Sequence, residues 1–532
     1  MNTDFLRPFL LLVVAALLTL AILPSPSYAD WEEKWAAAYS HRGWAQDYPI
    51  SILIAPDGNA IVTGSSYLLK FSSYGPPGED HARFVTIKYD TAGQPLWVAQ
   101  YHPDDDGSHW PQAQAVDAQG NTIVTGTSWN GSTDFDFATV KYNPDGELLW
   151  TARWTEADME DVPTAVAVDA AGNVFVAGTS LCETELFGTT TIKYDAEGNE
   201  LWVETLPYNL GTPDMGSVIA VTDAGESYVS VEGHRVSFPA TIIKRTADGE
   251  MLWRVDLPDT RIYALRLDSA GNLLAVGDID DTMTPVVAKY ASGGDLIWRV
   301  VLPDSKPGQL SFRPHHYLAL DDADNVYVSS LYRSFAKISP AGDLLWATTL
   351  YRFSTRALQP SADGGVSVVG TSRGDMMNPF DDYLAILQFD AEGELSETVV
   401  HESRYGSEGI DLALDSAGRL WATAGLCRFY VDFPKLDCLL WDIFTVQYSD
   451  VSSPVDDDDD TTPTTDDDDN DDNDDNDDND DDDDNDDNDD NDDDDDNDDN
   501  DDTDDDDDDD VSPAGDDDDQ TESGDSSDGG CF

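Results

Sequence analysis

Short runs of alternating apolar and polar residues recur between about residue 34 and residue 450, each broken by a D-x-x-G turn. In the segment FATVKYN, Phe137, Thr139 and Lys141 point one way and Ala138, Val140 and Tyr142 the other. This period of two predicts a strand. In AVAVD, Val166 and Val168 alternate with Ala165 and Ala167. Both faces are apolar or small, which predicts sheets packed on both sides rather than wetted on one. The turns carry their own mechanism. Asp169 and Asp195 can accept backbone N–H groups two residues on. Gly172 and Gly198, three positions later, can take the positive φ that the turn requires.

The runs form a repeat of about 50 residues with four strand-like segments, the signature of a propeller blade. Its clearest copy runs from Ala165 to Trp202. The last strand is marked by Trp97, Trp150, Trp202, Trp253, Trp298 and Trp346; the seventh copy reads AEGELSE around Ser396 instead. The eighth copy spans Asp411–Tyr448 and stops after its third strand, while KWAAAYS at Lys34–Ser40 matches WVAQY at Trp97–Tyr101. The expectation is therefore an all-β fold, a β-propeller of eight four-stranded blades closed by the N-terminal strand, with seven blades as the alternative. Closure leaves no open edge. In such a meander the uniform D-x-x-G turns share one face of the ring. The connections that vary, such as Ser65–Arg83, share the other. Variation confined to one face marks it as the binding face.

Composition divides the 532 residues into three parts. Residues 1–29 read as a secretory signal: Arg7, an apolar run Phe9–Leu23, then Ser27-Tyr28-Ala29 as a cleavage site. The run is short for a membrane span, and the mature chain is expected to have none. Residues 30–450 are the propeller. Residues 451–532 are dominated by Asp and Asn, with 47 of the 109 acidic residues and no Lys or Arg. The rest of the chain is acidic too, with 62 acids against 28 bases. Such charge repels nucleic acid and anionic lipid, and suits divalent cations or basic partners. The tail has nothing apolar to bury and reads as a disordered spacer. It lacks the regular spacing of a folded calcium loop, so calcium would bind it only loosely, and no cofactor is expected.

Several motifs compete with plain structural readings. Gly370-Thr371-Ser372-Arg373-Gly374 fits a nucleophile elbow, yet G-T-S also ends strands at Gly126–Ser128 and Gly178–Ser180, so a structural role is favoured. Lys88, Lys141, Lys193, Lys244 and Lys289 recur at one strand position, which implies one structural role, such as pairing with an Asp of the neighbouring blade. The candidate binding residues sit in the variable connections. One group is His102, Asp104, Asp105, Asp106, His109 and Trp110; a second is Arg313, His315 and His316; Trp129, Asp134 and Asp136 lie nearby in sequence to the first. His/Asp mixtures suit transition metals, but no ligand spacing supports a metal site. No carboxylate pair is marked as acid and base, so no catalytic residue is assigned. Of four cysteines, Cys427 and Cys438 lie in one inter-strand connection and are expected to form a disulfide.

The phrases G-N-x-x-V-x-G-T-S and K-Y-D-x-x-G-x-x-L-W in tandem resemble the bacterial SBBP family of β-propeller repeats, found in exported and surface proteins. That family carries no catalytic residues to transfer. The Y-D-x-x-G-x-x-L-W segments are also similar to the tryptophan-docking repeats of pyrroloquinoline-quinone dehydrogenases. Those enzymes hold their cofactor with calcium and often a vicinal disulfide, and this chain has no adjacent cysteines. The expectation is an exported, non-enzymatic propeller, at the cell surface, extracellular or in the periplasm, that serves surface display or recognises a polysaccharide, a surface protein or a matrix component through its variable-loop face. A glycan lyase or hydrolase acting at the channel, and a calcium-dependent coat or adhesion component, are the alternatives.

Overall fold

The computed structural model describes residues 31–450, apart from 41–44, 69–80, 104–106, 130, 132–133, 157–159, 182–186, 209–216, 232–239, 258–259, 280–283, 303–317, 330–333, 351–352, 373–382, 402, 404–405 and 433–435. Its strands form eight four-stranded antiparallel sheets arranged in a ring, a β-propeller. Blade 1 is Ala45–Ile54, Ala60–Leu68, Arg83–Tyr89 and Pro95–Tyr101, and six further blades repeat the meander in chain order. Blade 8 takes Ser407–Leu414, Leu420–Asp432 and Leu436–Asp450 from one end of the described chain and its fourth strand, Trp31–Tyr39, from the other. Trp31 pairs with Asp450 and Tyr39 with Ile443, so the ring closes as the split repeat predicts. The signal, the acidic tail, Cys182 and Cys531 lie outside the described residues.

Local chemistry explains the uniform turns. In Asp117-x-x-Gly120-Asn121, Asp117 Oδ1 accepts from Gln119 N at 3.0 Å and Asn121 N at 2.8 Å, and Asn121 Nδ2 donates to Asp117 Oδ2 at 2.8 Å. Gly120 takes φ 83°. Asp169, Asp268 and Asp321 make the same pattern. The glycine of G-T-S has a different cause. Six first strands carry a β-bulge, and in five of them the residue before it pairs with the glycine at this strand position, as in Pro111 with Gly126 and Pro163 with Gly178. A Cβ at Gly126 would stand 2.1 Å from Trp110 O, and one at Gly370 2.1 Å from Ser354 O. Gly370 is therefore a close-approach glycine inside the strand Val366–Ser372.

The blades are joined by a repeated clamp. The last-strand Trp of one blade lies against the third-to-fourth turn glycine of the next: Trp97 on Gly146, Trp150 on Gly198, Trp202 on Gly249, Trp253 on Gly294, Trp298 on Gly342, Trp346 on Gly393. Each indole N–H donates to a carbonyl of the same turn, from Trp97 Nε1 to Pro144 O at 2.8 Å through Trp346 Nε1 to Ala391 O at 3.0 Å. Trp35 of blade 8 repeats this on Gly93 and Thr91 O of blade 1. In five blades the repeated lysine donates to that same carbonyl, as Lys88 to Pro144 O and Lys193 to Ala247 O. The lysines are buried, and their carboxylates come from their own blade: Asp57 for Lys88 at 2.7 Å, Asp117 for Lys141 at 3.1 Å, Asp268 for Lys289 at 2.7 Å. The structural role expected of these lysines holds, but their partner in the neighbouring blade is a carbonyl rather than an Asp. A carbonyl suffices because the ammonium is already neutralised within its blade.

The missing tryptophan of the seventh copy now has a reason. Between blades 7 and 8 there is no turn to dock on, because the third and fourth strands of blade 8 come from distant parts of the chain. Glu397, four residues after Gly393 and paired with Gln388 as Trp346 is with Lys337, occupies the position. The seam is held instead by Trp31 N donating to Glu397 Oε1 at 3.1 Å and by His401 Nδ1 with Glu33 Oε2 at 3.3 Å.

Replacing Trp202→Phe keeps the ring but leaves Ala247 O short of one donor, and should cost about 1 kcal/mol; Trp202→Ala also empties the socket and should cost about 3 kcal/mol. Glu397→Trp should give no stabilisation, having no turn to dock on and losing the contact to Trp31 N. Calorimetric melting of the three variants checks the order, and a stabilised Glu397→Trp variant would contradict the account of the seam.

Candidate functional site

The first strands line a central cavity of about 1270 Å³. Its waist is apolar, built by Ile52, Leu53, Leu267, Leu320, Leu412 and Leu414. Two ionisable side chains, Asp411 and Arg266, interrupt it. Asp411 is buried and accepts from Ile52 N at 3.0 Å and Leu412 N at 2.8 Å, tying blade 8 to blade 1. Burial pushes its carboxyl up to about 8, opposed by those hydrogen bonds and by the positive charge of Arg266. Burial likewise depresses the Arg266 guanidinium, with Asp411 working against it.

At the variable-loop end the cavity opens into a mouth with four aromatic rings from three consecutive blades. Tyr48 and Trp110 occupy the same register, two residues before the bulge of their first strands. Tyr67 lies edge-on to Trp110 with centroids 5.1 Å apart, and Tyr48 edge-on to Trp441 at 5.8 Å. All four line the cavity and are half-buried. Trp441 stands on an extended hairpin of blade 8, Leu420–Asp432 paired with Leu436–Asp450, whose strands are longer than their counterparts in the other blades. Hydrogen-bonding groups frame the rings. Tyr48 Oη donates to Glu408 Oε2 at 2.7 Å, Glu408 also pairs with Arg356, and Tyr67 Oη donates to the Gln46 amide oxygen. Gln112 and the exposed Glu160 complete the lining.

The residues singled out from sequence fall into three groups. Trp110 lies in the mouth. The next group packs at the end of blade 2. His109 is fully buried, with Nδ1 2.7 Å from Ser128 Oγ and its ring edge-on to Tyr101, while His102 meets it at 5.7 Å. Asp136 is buried and paired with Arg153 at 3.3 Å; Arg153 also donates to Ser128 O and Trp129 O. Trp129 packs edge-on to Phe135, and Asp134 is half-buried. The third group, Asp104, Asp105, Asp106, Arg313, His315 and His316, lies outside the described residues. Among the described residues, no cluster of three or more His, Cys, Asp or Glu forms a metal site, and no helix is long and apolar enough to cross a membrane. Cys427 is buried and disulfide-bonded. It stands in a strand opposite Trp441 rather than in a loop, and Cys438 faces Tyr430 on the returning strand, its side chain outside the described residues.

Sequence reading missed Tyr48, Tyr67 and Trp441. One signal was present: the dipeptides Tyr48-Pro49, Trp110-Pro111 and Val162-Pro163 mark one register in successive first strands.

No protein-family model matches the chain, and no curated protein does. Solved structures similar to it include the C-terminal WD40 domain of Sif2 (TM-score 0.49, 13% identity, covering 78% of this chain and 97% of that one). Another is BamB from Moraxella catarrhalis (TM-score 0.43, 11% identity, covering 79% and 100%). A third is the Dos1 propeller (TM-score 0.48, 9% identity, covering 78% and 95%).

Asp411, and Asp161 pushed by burial up to about 7, bind protons more readily folded than unfolded, where the ordinary value is 3.8. Their effect on stability is fully favourable below about pH 4 and declines as pH rises toward 8, where each carboxyl must ionise while buried. Asp411→Asn should flatten the fall in melting temperature between about pH 5 and pH 8. A parent whose melting temperature rises across that window with the same slope as the variant would contradict this.

Proposed function

We propose that the protein is an exported, non-enzymatic propeller that recognises a polysaccharide or a surface protein through its variable-loop face, with the acidic tail as a polyanionic spacer. The observation that carries the reading is the convergence of Tyr48, Tyr67, Trp110 and Trp441 on the mouth of the central cavity. Half-buried aromatic rings beside fixed hydrogen-bonding groups are the usual make-up of a recognition pocket. The carboxylates with the largest upward shifts, Asp161 and Asp411, both hold backbone N–H groups, which gives them a structural use. The signal-like residues 1–29 and the resemblance to SBBP repeats support export. The tail would keep the propeller soluble and at a distance from the surface that bears it.

An array of glycans and surface proteins probed with the chain from residue 30 onward tests this. Binding should fall at least tenfold in a Tyr48→Ala/Trp441→Ala double variant that melts within a few degrees of the parent. Ligands that bind the double variant as tightly as the parent would remove the mouth from the reading. Ligands that are cleaved on incubation would replace recognition with catalysis.

A further inference from the structure

We infer that the channel mouth takes a neutral oligosaccharide, and that it discriminates against uronate-bearing and sulfated glycans. The inference rests on the recognition reading above and names the ligand class for that same mouth. Its first ground is the pairing of two kinds of surface. A pyranose ring offers a flat patch of C–H groups on its face and hydroxyls around its rim. The mouth offers aromatic rings from blades 8, 1 and 2, and beside them the side chains of Gln46, Gln112 and Glu160 and the phenol of Tyr48. Amide and carboxylate oxygens accept from hydroxyls, and aromatic faces cover C–H patches with little loss of side-chain freedom.

The second ground is preorganisation. Tyr48 is held by Trp441 on one side and by its hydrogen bond to Glu408 on the other, and Glu408 is fixed in turn by Arg356 of blade 7. Tyr67 is held by Trp110 and by the Gln46 amide. Rings fixed before the ligand arrives spare the cost of ordering them, which matters for a weakly hydrophobic ligand that exchanges water hydrogen bonds for protein ones.

The third ground is charge. Outside the tail the chain has 62 acidic and 28 basic residues. At the mouth Glu160 is exposed, and Arg356 is already paired with Glu408. Arg266, among the described residues that line the cavity, has its Nη1 donating to Leu265 O at 3.1 Å and lies beside Asp411. Among the described lining residues no cation stands beside the four rings, so an anionic sugar would enter an acidic field there. A cationic peptide would gain from the field, but Glu408, the carboxylate nearest the rings, is already engaged by Arg356 and Tyr48. The cavity, at about 1270 Å³, exceeds the roughly 300–1,000 Å³ of single small-ligand sites and has room for more than one sugar ring.

Calorimetric titration of the chain from residue 30 onward tests the inference with two matched panels. One panel holds neutral hexose tri- to hexasaccharides of differing linkage; the other holds uronate and sulfated oligosaccharides of the same length. At least one neutral member should bind, and ten times more tightly than any anionic one. Trp441→Ala and Trp110→Ala should each weaken it at least tenfold. Tyr48→Phe keeps the ring and drops only the hydroxyl, so it should fold as the parent and weaken binding a few-fold. Equal or tighter binding of anionic members would overturn the inference. So would neutral binding that is untouched by Trp441→Ala and Tyr48→Phe. If no oligosaccharide binds but a surface protein on the array still loses affinity in the Tyr48→Ala/Trp441→Ala variant, the recognition reading stands and the sugar class falls.

Discussion

One carbonyl oxygen in each of blades 1 to 7 carries much of this ring. It sits in the third-to-fourth turn and accepts the indole N–H of the preceding blade, and in five joints also a buried lysine ammonium. A blade is a strongly twisted small sheet whose faces are nearly all apolar or small, and dispersion alone would let neighbouring blades slide. The hydrogen bonds fix the register of each joint, and the turn glycine leaves space for the indole to lie flat. A side chain on that glycine would meet the ring: a Cβ at Gly146 would stand 2.6 Å from Trp97. Its φ of 83° suits glycine in any case. Two independent demands thus fall on the same residue.

The same clamp explains the one irregular copy. Closing a ring with strands from both ends of the chain removes a turn, and with the turn goes the socket. Glu397 stands where a tryptophan would have had no turn to dock on. The seam is sealed by polar contacts from Trp31 and Glu33 to Glu397 and His401, in addition to the strand pairing within blade 8. A different exception occurs at Asp324, which adopts φ 60° where other turns have glycine. Its carboxylate accepts from Ser269 N at 2.9 Å and Ser269 Oγ at 2.6 Å in the blade before, so the strained residue binds two blades together.

The mouth owes its form to departures from the repeat. Blades 1 and 2 place Tyr48 and Trp110 where blade 3 has Val162, and blade 8, with Glu408 at that register, lengthens its hairpin and brings Trp441 to the cavity. A regular ring sets the frame, and irregular residues on its variable-loop face give the mouth its chemistry. His109 and Asp136, which stood out in sequence for their chemical type, serve as packing and pairing groups at the end of blade 2. Residue type alone does not separate these roles; burial does.

What the sequence determined by itself was everything with a short range. Strand alternation has a period of two, and turn hydrogen bonds span two to four residues. The repeat of about 50 residues multiplies both signals eight times. Blade number, ring closure and the location of the variable face followed from these. The sequence also showed that the lysines shared one role, but not which atoms they met, because the shared carbonyl lies some 50 residues away in the next blade. The mouth was decided only by tertiary structure. Tyr48 and Glu408 are 360 positions apart and meet because closure puts blade 8 beside blade 1. No periodicity records that contact, since it depends on which first-strand residues precede a bulge and so turn toward the channel.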